Sequence, residues 1–454
     1  MAKKILVVGG GGREHAIAWA LAKSPKCEKL YVAPGNGGTA AVAQNVADLD
    51  PEDGQAVLAF AKDHAIDLVV VGPEAPLVAG VADVLRAGGI DVFGPSASCA
   101  RLEGSKAFSK QFMLDNDLPT AKYRTFTDKV AAADYINEIG APVVVKADGL
   151  AAGKGVVVAE DTASAVKASD ECFNGRFGEA GARVVIEECL TGPECSLLAF
   201  VTDGKAFCME PAQDHKRAYE GDKGPNTGGM GVYSPVPIVT DQEMASMKDI
   251  MERAAAAAVA SPYRENDRNV QDISISENTY GSEEFDMDYR GVLYGGFMLT
   301  PEGPKLLEFN VRFGDPETQV VLSRLKSDLV DVMVAVAQGR AQDVKLTWSD
   351  KWAVCVVLAS GGYPGSYEKG KVITGIDEAE ALPGITVFHA GTKVDDKGRL
   401  VTAGGRVLNV VALGDSFEDA RTRAYEACDL IEFEGKQFRR DIGERASRGR
   451  SAWE

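Results

Sequence analysis

The stretch Leu306-Leu307-Glu308-Phe309-Asn310-Val311-Arg312-Phe313-Gly314-Asp315-Pro316-Glu317-Thr318-Gln319 carries the densest chemistry in the chain. Read as a strand, residues two apart share a face, so Glu308, Asn310 and Arg312 project from one side. A carboxylate and an amide oxygen are hard ligands that suit a Mg²⁺ ion also taking phosphate oxygens and water. The neighbouring guanidinium can clamp a carboxylate or a developing phosphate charge. An ion-pair ladder on a sheet surface would use the same residue types.

Four further segments have chemical capacity. Val143-Val144-Val145-Lys146 ends beside a glycine-rich loop with Gly153, Lys154 and Gly155, which places an ammonium at a strand end next to a flexible cover. That pairing suits a triphosphate, although no hydroxyl follows the lysine as a Walker A loop requires, and a plain hairpin with an exposed lysine is the alternative. Ile186-Glu187-Glu188-Cys189-Leu190 reads as a strand leaving into a linker, with Glu194 beyond it. Backbone around Glu188 and Leu190 suits an adenine edge and Glu194 a ribose hydroxyl; a solvated acidic turn is the bland reading. Gly9-Gly10-Gly11-Gly12-Arg13-Glu14-His15 follows a strand and opens a helix, a phosphate or carboxylate site by its N–H groups and dipole, or else a tight turn. A dinucleotide fingerprint would need a small residue where Glu14 or His15 stands. Gln213-Asp214-His215-Lys216-Arg217 and Asn226-Thr227-Gly228-Gly229-Met230-Gly231 form a polar, glycine-laden loop, able to bring backbone close to a polar substrate or to serve as an exposed connector.

The elements that position these residues follow from patterning. Apolar runs at Lys4–Val8, Lys29–Ala33, Asp67–Val71 and Gly89–Phe93 alternate with helical patterns, which implies a parallel, doubly wound α/β domain over residues 1–103. Ser105 caps a helix running to about Asn116, and strands at Pro142–Ala147, Val156–Ala159, Arg183–Glu188, Ser196–Thr202, Val292–Thr300 and Lys305–Phe309 make residues 104–330 a mixed α+β region. The polar stretch at about 263–289 reads as a surface excursion that interrupts no motif. Strands at Ala353–Leu358 and Arg406–Val411 and a helix at Phe417–Ile431 make 331–454 a smaller α/β cap.

Composition narrows the function. The 454 residues suggest about three domains. Lys plus Arg total 49 and Asp plus Glu 67, a net charge of −18 that disfavours nucleic acid as a partner. Eight scattered cysteines without a C-x-x-C pair, and only four histidines, argue against a disulfide framework or zinc. No apolar run is long enough for a membrane span and the N-terminus lacks a signal h-region, so a cytoplasmic location is expected.

Taken in order, GGGGREHA, PGNGG at 34–38, GPEAPL at 72–77, KADGLAAGKGV, PAQDHKR, GPNTGGMG, EFNVRFGDPETQ, ASGGYPG at 359–365, FHAGTK at 388–393 and TAGGRVL at 402–408 resemble the ATP-grasp ligases, and within them those that join glycine to 5-phosphoribosylamine in purine biosynthesis. The resemblance implies an N-terminal α/β domain, a central ATP-grasp domain with a small mobile lid at about 120–193, and a C-terminal α/β cap. It implies ATP and Mg²⁺, or Mn²⁺, as cofactors and a glycyl phosphate intermediate. Lys106 and Lys146 would hold the triphosphate under a lid containing Gly153, Lys154 and Gly155. Glu187, Glu188, Leu190 and Glu194 would hold adenosine, and Glu308 and Asn310 the metal. Arg312, Lys146 and Asp214 would be catalytic. Gly10, Gly11, Gly12, Arg13, Asp214, Lys216, Gly229 and Asp315 would face the substrates. Gly291–Leu299 holds no carboxylate for a second metal. A monomer or weak homo-oligomer is implied. A nicotinamide-dependent oxidoreductase, a non-catalytic nucleotide sensor and a carboxylase-type ligase using bicarbonate stand as alternatives.

Overall fold

The computed structural model describes residues 2–150, 155–260, 263–264, 284–285 and 287–448. The N-terminal sheet is parallel: Lys3–Gly9 lies between Cys27–Pro34 and Leu68–Val71, with Gln44–Asn45 and Asp91–Phe93 at the edges. Its central strand is apolar and buried from Ile5 to Val8 because both faces are covered there. Ile5 and Val7 pack with Ile17 and Leu21 on one side, while Leu6 and Val8 pack with Val57, Val81 and Leu85 on the other.

The lid is an antiparallel sheet of Tyr123–Phe126, Val184–Glu188, Val143–Ala147 and Val156–Ala159. Strand alternation divides its residues. Val143, Val145, Ala147, Val184 and Ile186 enter a core with Ala132, Ile136 and Ala165, so Lys146 and Glu187 must point to the opposite face, toward the helix Lys106–Asp115. The larger sheet runs Lys205–Cys208, Glu194–Thr202, Gly291–Thr300, Gly303–Asn310, all antiparallel. Its register sets Glu308 opposite Gly296 and Asn310 opposite Tyr294.

The C-terminal sheet orders Gln213–Asp214, Gly231–Ser234, Trp352–Ser360, Arg406–Gly414 and Ile385–His389, with the helix Phe417–Leu430 packed on it. Two of its strands come from the segment that reads in sequence as a polar loop. They are too short to show a period of two, and the glycines between them belong to a small hairpin, Arg217–Tyr219 with Lys223–Asn226. Of the expected excursion, the described residues include a two-residue ladder, Tyr263–Arg264 with Glu284–Phe285, and the buried Met287 and Tyr289 that lead into the strand Gly291–Thr300. All eight cysteines are free, five of them buried. No helix among the described residues is long and apolar enough to cross a membrane.

Candidate active site

The residues read as nucleotide-binding converge where the lid meets the larger sheet. Lys146 Nζ pairs with Glu187 Oε1 at 2.9 Å and donates to the Leu307 carbonyl at 3.3 Å. The helix Lys106–Asp115 starts at Ser105, whose hydroxyl accepts from Phe108 N–H, and Asp148 from the lid accepts from the Ala107 N–H at 3.1 Å. Lys106 Nζ donates to the Gly149 carbonyl at 3.0 Å, beside the glycine loop. Gly155 is buried and its carbonyl accepts from Ala147 N–H; Gly153 and Lys154 lie outside the described residues.

Glu187 departs from the expectation of an adenosine contact. Its side chain is 2% exposed and bridges Lys146 and Lys110, the latter at 3.0 Å. Burial pushes this carboxyl up, but Lys110 and Lys146 outweigh that and hold it below its usual range. Burial also pulls Lys110 down to about 8 despite Glu187. Glu188 instead accepts from Lys122 N–H at 2.9 Å, and Leu190 lies half-buried in the linker to the larger sheet. Glu194 is paired with Lys216 at 2.8 Å, which joins two residues assigned separately in the sequence.

Glu308 is half-buried and, among the described residues, has neither a hydrogen-bond nor an ion-pair partner. Burial opposes its charge, yet Lys216, Lys146, Lys106 and Arg312 together hold its carboxyl below the usual range. A carboxylate without a side-chain partner among the described residues, favoured in its charged form by four cations, is the central electrostatic feature of the cleft. Asn310 stands two residues on. The strand ends at Asn310, so Arg312 sits in the bend beyond it, still 3.5 Å from Asn310 Oδ1. Its guanidinium is held by Glu103 Oε1 at 2.6 Å and Glu74 Oε2 at 3.2 Å. Glu103 also accepts from Val311 N–H at 2.8 Å, fixing the bend itself. Glu103 is pushed up by burial more than Arg312 lowers it, whereas in Glu74 the same burial is outweighed by Arg312 and Arg13.

The glycine cluster faces this bend. The helix Gly12–Ala22 has Gly11 as its N-cap, but the Gly11 N–H donates to Glu14 Oε2 at 2.6 Å and is therefore taken, a correction to reading it as a phosphate donor. Arg13 Nε pairs with Glu14 Oε1 at 2.5 Å, and its Nη1 donates to the Phe313 carbonyl. The loop has no room for side chains: a Cβ on Gly10 would lie 2.6 Å from the Gly35 carbonyl oxygen. Gly10→Ala is expected to destabilise the protein by about 1–3 kcal/mol by forcing two backbones apart, seen as a lower urea midpoint; an unchanged midpoint would show that the loops separate freely.

Asp315 and Gly229 meet the C-terminal sheet through Arg406. Arg406 Nη2 lies 3.2 Å from Asp315 Oδ2, and Nη1 donates to the carbonyls of Gly228 and Asp315 at 2.6 and 2.7 Å. Gly229 has φ +112, and a Cβ there would lie 2.5 Å from Pro316 Cδ, so the turn is restricted to glycine twice over. Asp214 stands at the edge of the same sheet; burial pushes it up, Lys216 opposes, and Glu317 and Glu194 add to the rise, to about 7. Glu317 itself accepts from Tyr294 and Ser196 hydroxyls, each at 3.2 Å.

Behind the loop, three histidines are buried and neutral. His15 Nδ1 accepts from the His389 N–H at 2.8 Å, and burial, then His389, pull His15 down to about 3. Burial brings His389 and His215 to about 4. An unfolded chain protonates these rings below its ordinary value of 6.5 while the folded one does not, so it binds more protons in that window. Stability is thus expected to be full above pH 6.5 and to fall toward pH 4, by about 1.4 kcal/mol per pH unit for each ring. Urea midpoints at pH 7 and 4.5 check this; His15→Gln should make the dependence shallower, and an unaltered slope would count against it.

Glu14, Glu74, Glu103, Lys110, Glu317 and Arg406 are missing from the sequence reading. Lys110 had a local signal, a charge on a helix between Phe108 and Phe112 and four residues after Lys106. Glu14 is local to the Gly11 cap it closes, three residues away; the remaining ones become visible only through contacts between distant segments.

A parallel N-terminal sheet, a β-rich lid closing on a second sheet and a cationic cleft between them define an ATP-grasp protein. Residues 3–103, then 104–266 with 256–318, and 353–445 match the models described as phosphoribosylglycinamide synthetase N domain, ATP-grasp (A) domain and C domain. The chain belongs to the phosphoribosylglycinamide synthetase family. It is 48% identical over 445 residues to the phosphoribosylamine–glycine ligase of Brucella melitensis, covering 98% of each chain, and 50% identical over 450 residues to that of Nostoc sp., covering 98% of this chain and 100% of the relative. The crystal structure of phosphoribosylamine–glycine ligase from Thermotoga maritima superposes with TM-score 0.78 at 33% identity, covering 96% of this chain and 99% of that one. A biotin carboxylase complex from Campylobacter jejuni, at 15% identity and TM-score 0.69 over 96% of this chain and 93% of that one, shares the fold.

Proposed function

We propose that this chain catalyses the ATP-dependent ligation of glycine to 5-phosphoribosylamine, giving glycinamide ribonucleotide, ADP and phosphate, in purine biosynthesis. The observation that carries the reading is the Glu308 carboxylate, without a side-chain partner among the described residues and favoured in its charged form by Lys106, Lys146, Lys216 and Arg312, in a protein of this family. That setting suits a polyanionic nucleotide, whose charge the cations meet.

Glycine's carboxylate is a poor electrophile. A carboxylate oxygen attacks the γ-phosphorus of ATP, the bond to the β-bridging oxygen breaks, and glycyl phosphate and ADP form. The amine of phosphoribosylamine then attacks the acyl carbon, phosphate leaves, and the amine gives up a proton. Positioning and charge neutralisation supply the acceleration. Lys146 and Lys106 neutralise phosphate oxygens. Arg312, oriented by Glu103 and Glu74, faces the transferring group. Asp214, near 7, is poised to hold the proton released by the amine. The linker at Glu188 and Leu190 borders adenine, and Gly10 to Arg13 with Asp315 and Gly229 border the acceptor.

Glu308 and Asn310 fit Mg²⁺ or Mn²⁺: they offer two hard oxygens side by side, one of them a carboxylate with no protein partner. When bound, the ion supplies neutralisation of phosphate charge. Among the described residues no three acidic, histidine or cysteine side chains gather for a metal.

Measuring ADP release while omitting glycine, freshly made phosphoribosylamine and Mg²⁺ in turn tests the assignment. Release requiring all three supports it; turnover triggered by bicarbonate in place of glycine would overturn it.

A further inference from the structure

Lys110 is the one lysine at the junction of lid and helix that no step above uses. Its side chain is 3% exposed, so it cannot itself reach a ligand in the cleft. Its Nζ has two partners, Glu187 Oε2 at 3.0 Å and Thr120 Oγ1 at 2.7 Å. Thr120 in turn donates to the Leu306 carbonyl at 2.6 Å, on the strand that carries Glu308. The other oxygen of Glu187 is paired with Lys146. One buried carboxylate is therefore shared by two ammonium groups, each on its own oxygen, and Lys146 also reaches the Leu307 carbonyl next to Glu308.

The charges explain why two lysines are present. If Lys146 were the sole counterion of Glu187, any turn of its ammonium toward a phosphate would strand a carboxylate that is 2% exposed, and an uncompensated buried charge is strongly unfavourable. With Lys110 in place, Glu187 stays paired whichever way Lys146 points. We propose that Lys110 is a positioning residue for nucleotide binding: by keeping Glu187 neutralised, it leaves Lys146 available to a phosphate oxygen. Through Thr120 and Leu306 it also ties the lid to the strand of Glu308. The inference rests on the reading of Lys146 as a phosphate ligand.

Calorimetric titration of MgATP into the full chain and its variants tests this. Lys110→Met is expected to raise Kd by about tenfold or more, because Lys146 becomes committed to Glu187. Adding Glu187→Gln removes that demand, so the double variant Lys110→Met/Glu187→Gln should return to within about threefold of the parent. A packing defect would leave the double variant as weak as the single one, and that result overturns the proposal. So does a Lys110→Met protein that binds MgATP like the parent while Lys146→Met binds weakly. If the parent itself binds no MgATP, or Lys146→Met binds as tightly as the parent, the nucleotide reading of the site fails first. Should Lys110→Met not fold, Lys110→Gln, which keeps a donor toward Glu187 without the charge, takes its place with the same expectations.

Discussion

Glu308→Gln is expected to lower kcat by about 10³-fold, the scale of losing a principal preorganised electrostatic group, while the folded state is kept. The reason lies in what Glu308 lacks. Most half-buried carboxylates lose a partner when neutralised; this one has none among the described residues. Its charge is instead set against Lys216, Lys146, Lys106 and Arg312, where on the proposed reading it meets a cation and a polyanion. Glutamine keeps the volume and an amide oxygen but removes the charge, leaving Lys216, Lys146 and Arg312 with only their pairings to Glu194, Glu187 and Glu103. The urea midpoint should shift by less than about 1 kcal/mol equivalent, since no hydrogen bond is broken. A variant that loses activity only in proportion to lost folding would place Glu308 in the scaffold instead.

Arg312→Met should damage both stability and activity, and the two losses can be separated. Its guanidinium serves Glu103, whose side chain is 7% exposed, and Glu74 on the N-terminal domain. Removing it leaves a buried acid uncompensated, an effect of about 3–5 kcal/mol by comparison with other broken buried pairs. In Arg312→Met/Glu103→Gln the stranded charge is gone, so the urea midpoint should recover most of that loss. Turnover should remain depressed by about 10²-fold or more, because the donors facing the transferring group are still absent. Recovery of turnover along with stability would mean that Arg312 acts only as a brace between domains.

Legibility in the sequence followed the range of the interactions. The N-terminal parallel sheet is visible because covering both faces writes an uninterrupted apolar run, as at Ile5 to Val8. The helix after Ser105 is visible because its cap is local. Glu308 and Asn310 are visible because strand alternation sets them on one face, and Arg312 stays with them although the strand has ended. What stayed hidden depends on segments far apart in the chain. The hold of Glu14 on the Gly11 N–H is the exception, a capping-box contact three residues long that the sequence reading passed over. Nothing near Glu187 reveals that its side chain faces two lysines, since the lid core decides which face of the strand is inward. Arg406 joins Gly228 and Asp315 only because strands from 213–234 enter the C-terminal sheet, and two short strands around a glycine-rich hairpin carry no periodic signal.

The chemistry at the centre of this account is transfer of the γ-phosphoryl group of ATP to the carboxylate of glycine, and the fate of glycine's own oxygens tests it most directly. Turnover with glycine labelled by ¹⁸O in both carboxylate positions, followed by mass analysis of the phosphate released, should place one labelled oxygen in each phosphate and leave the other in the amide of the product. Phosphate without label, formed at the same rate as glycinamide ribonucleotide, would contradict the acyl phosphate route and the role of the Lys146 and Glu308 cleft in building it.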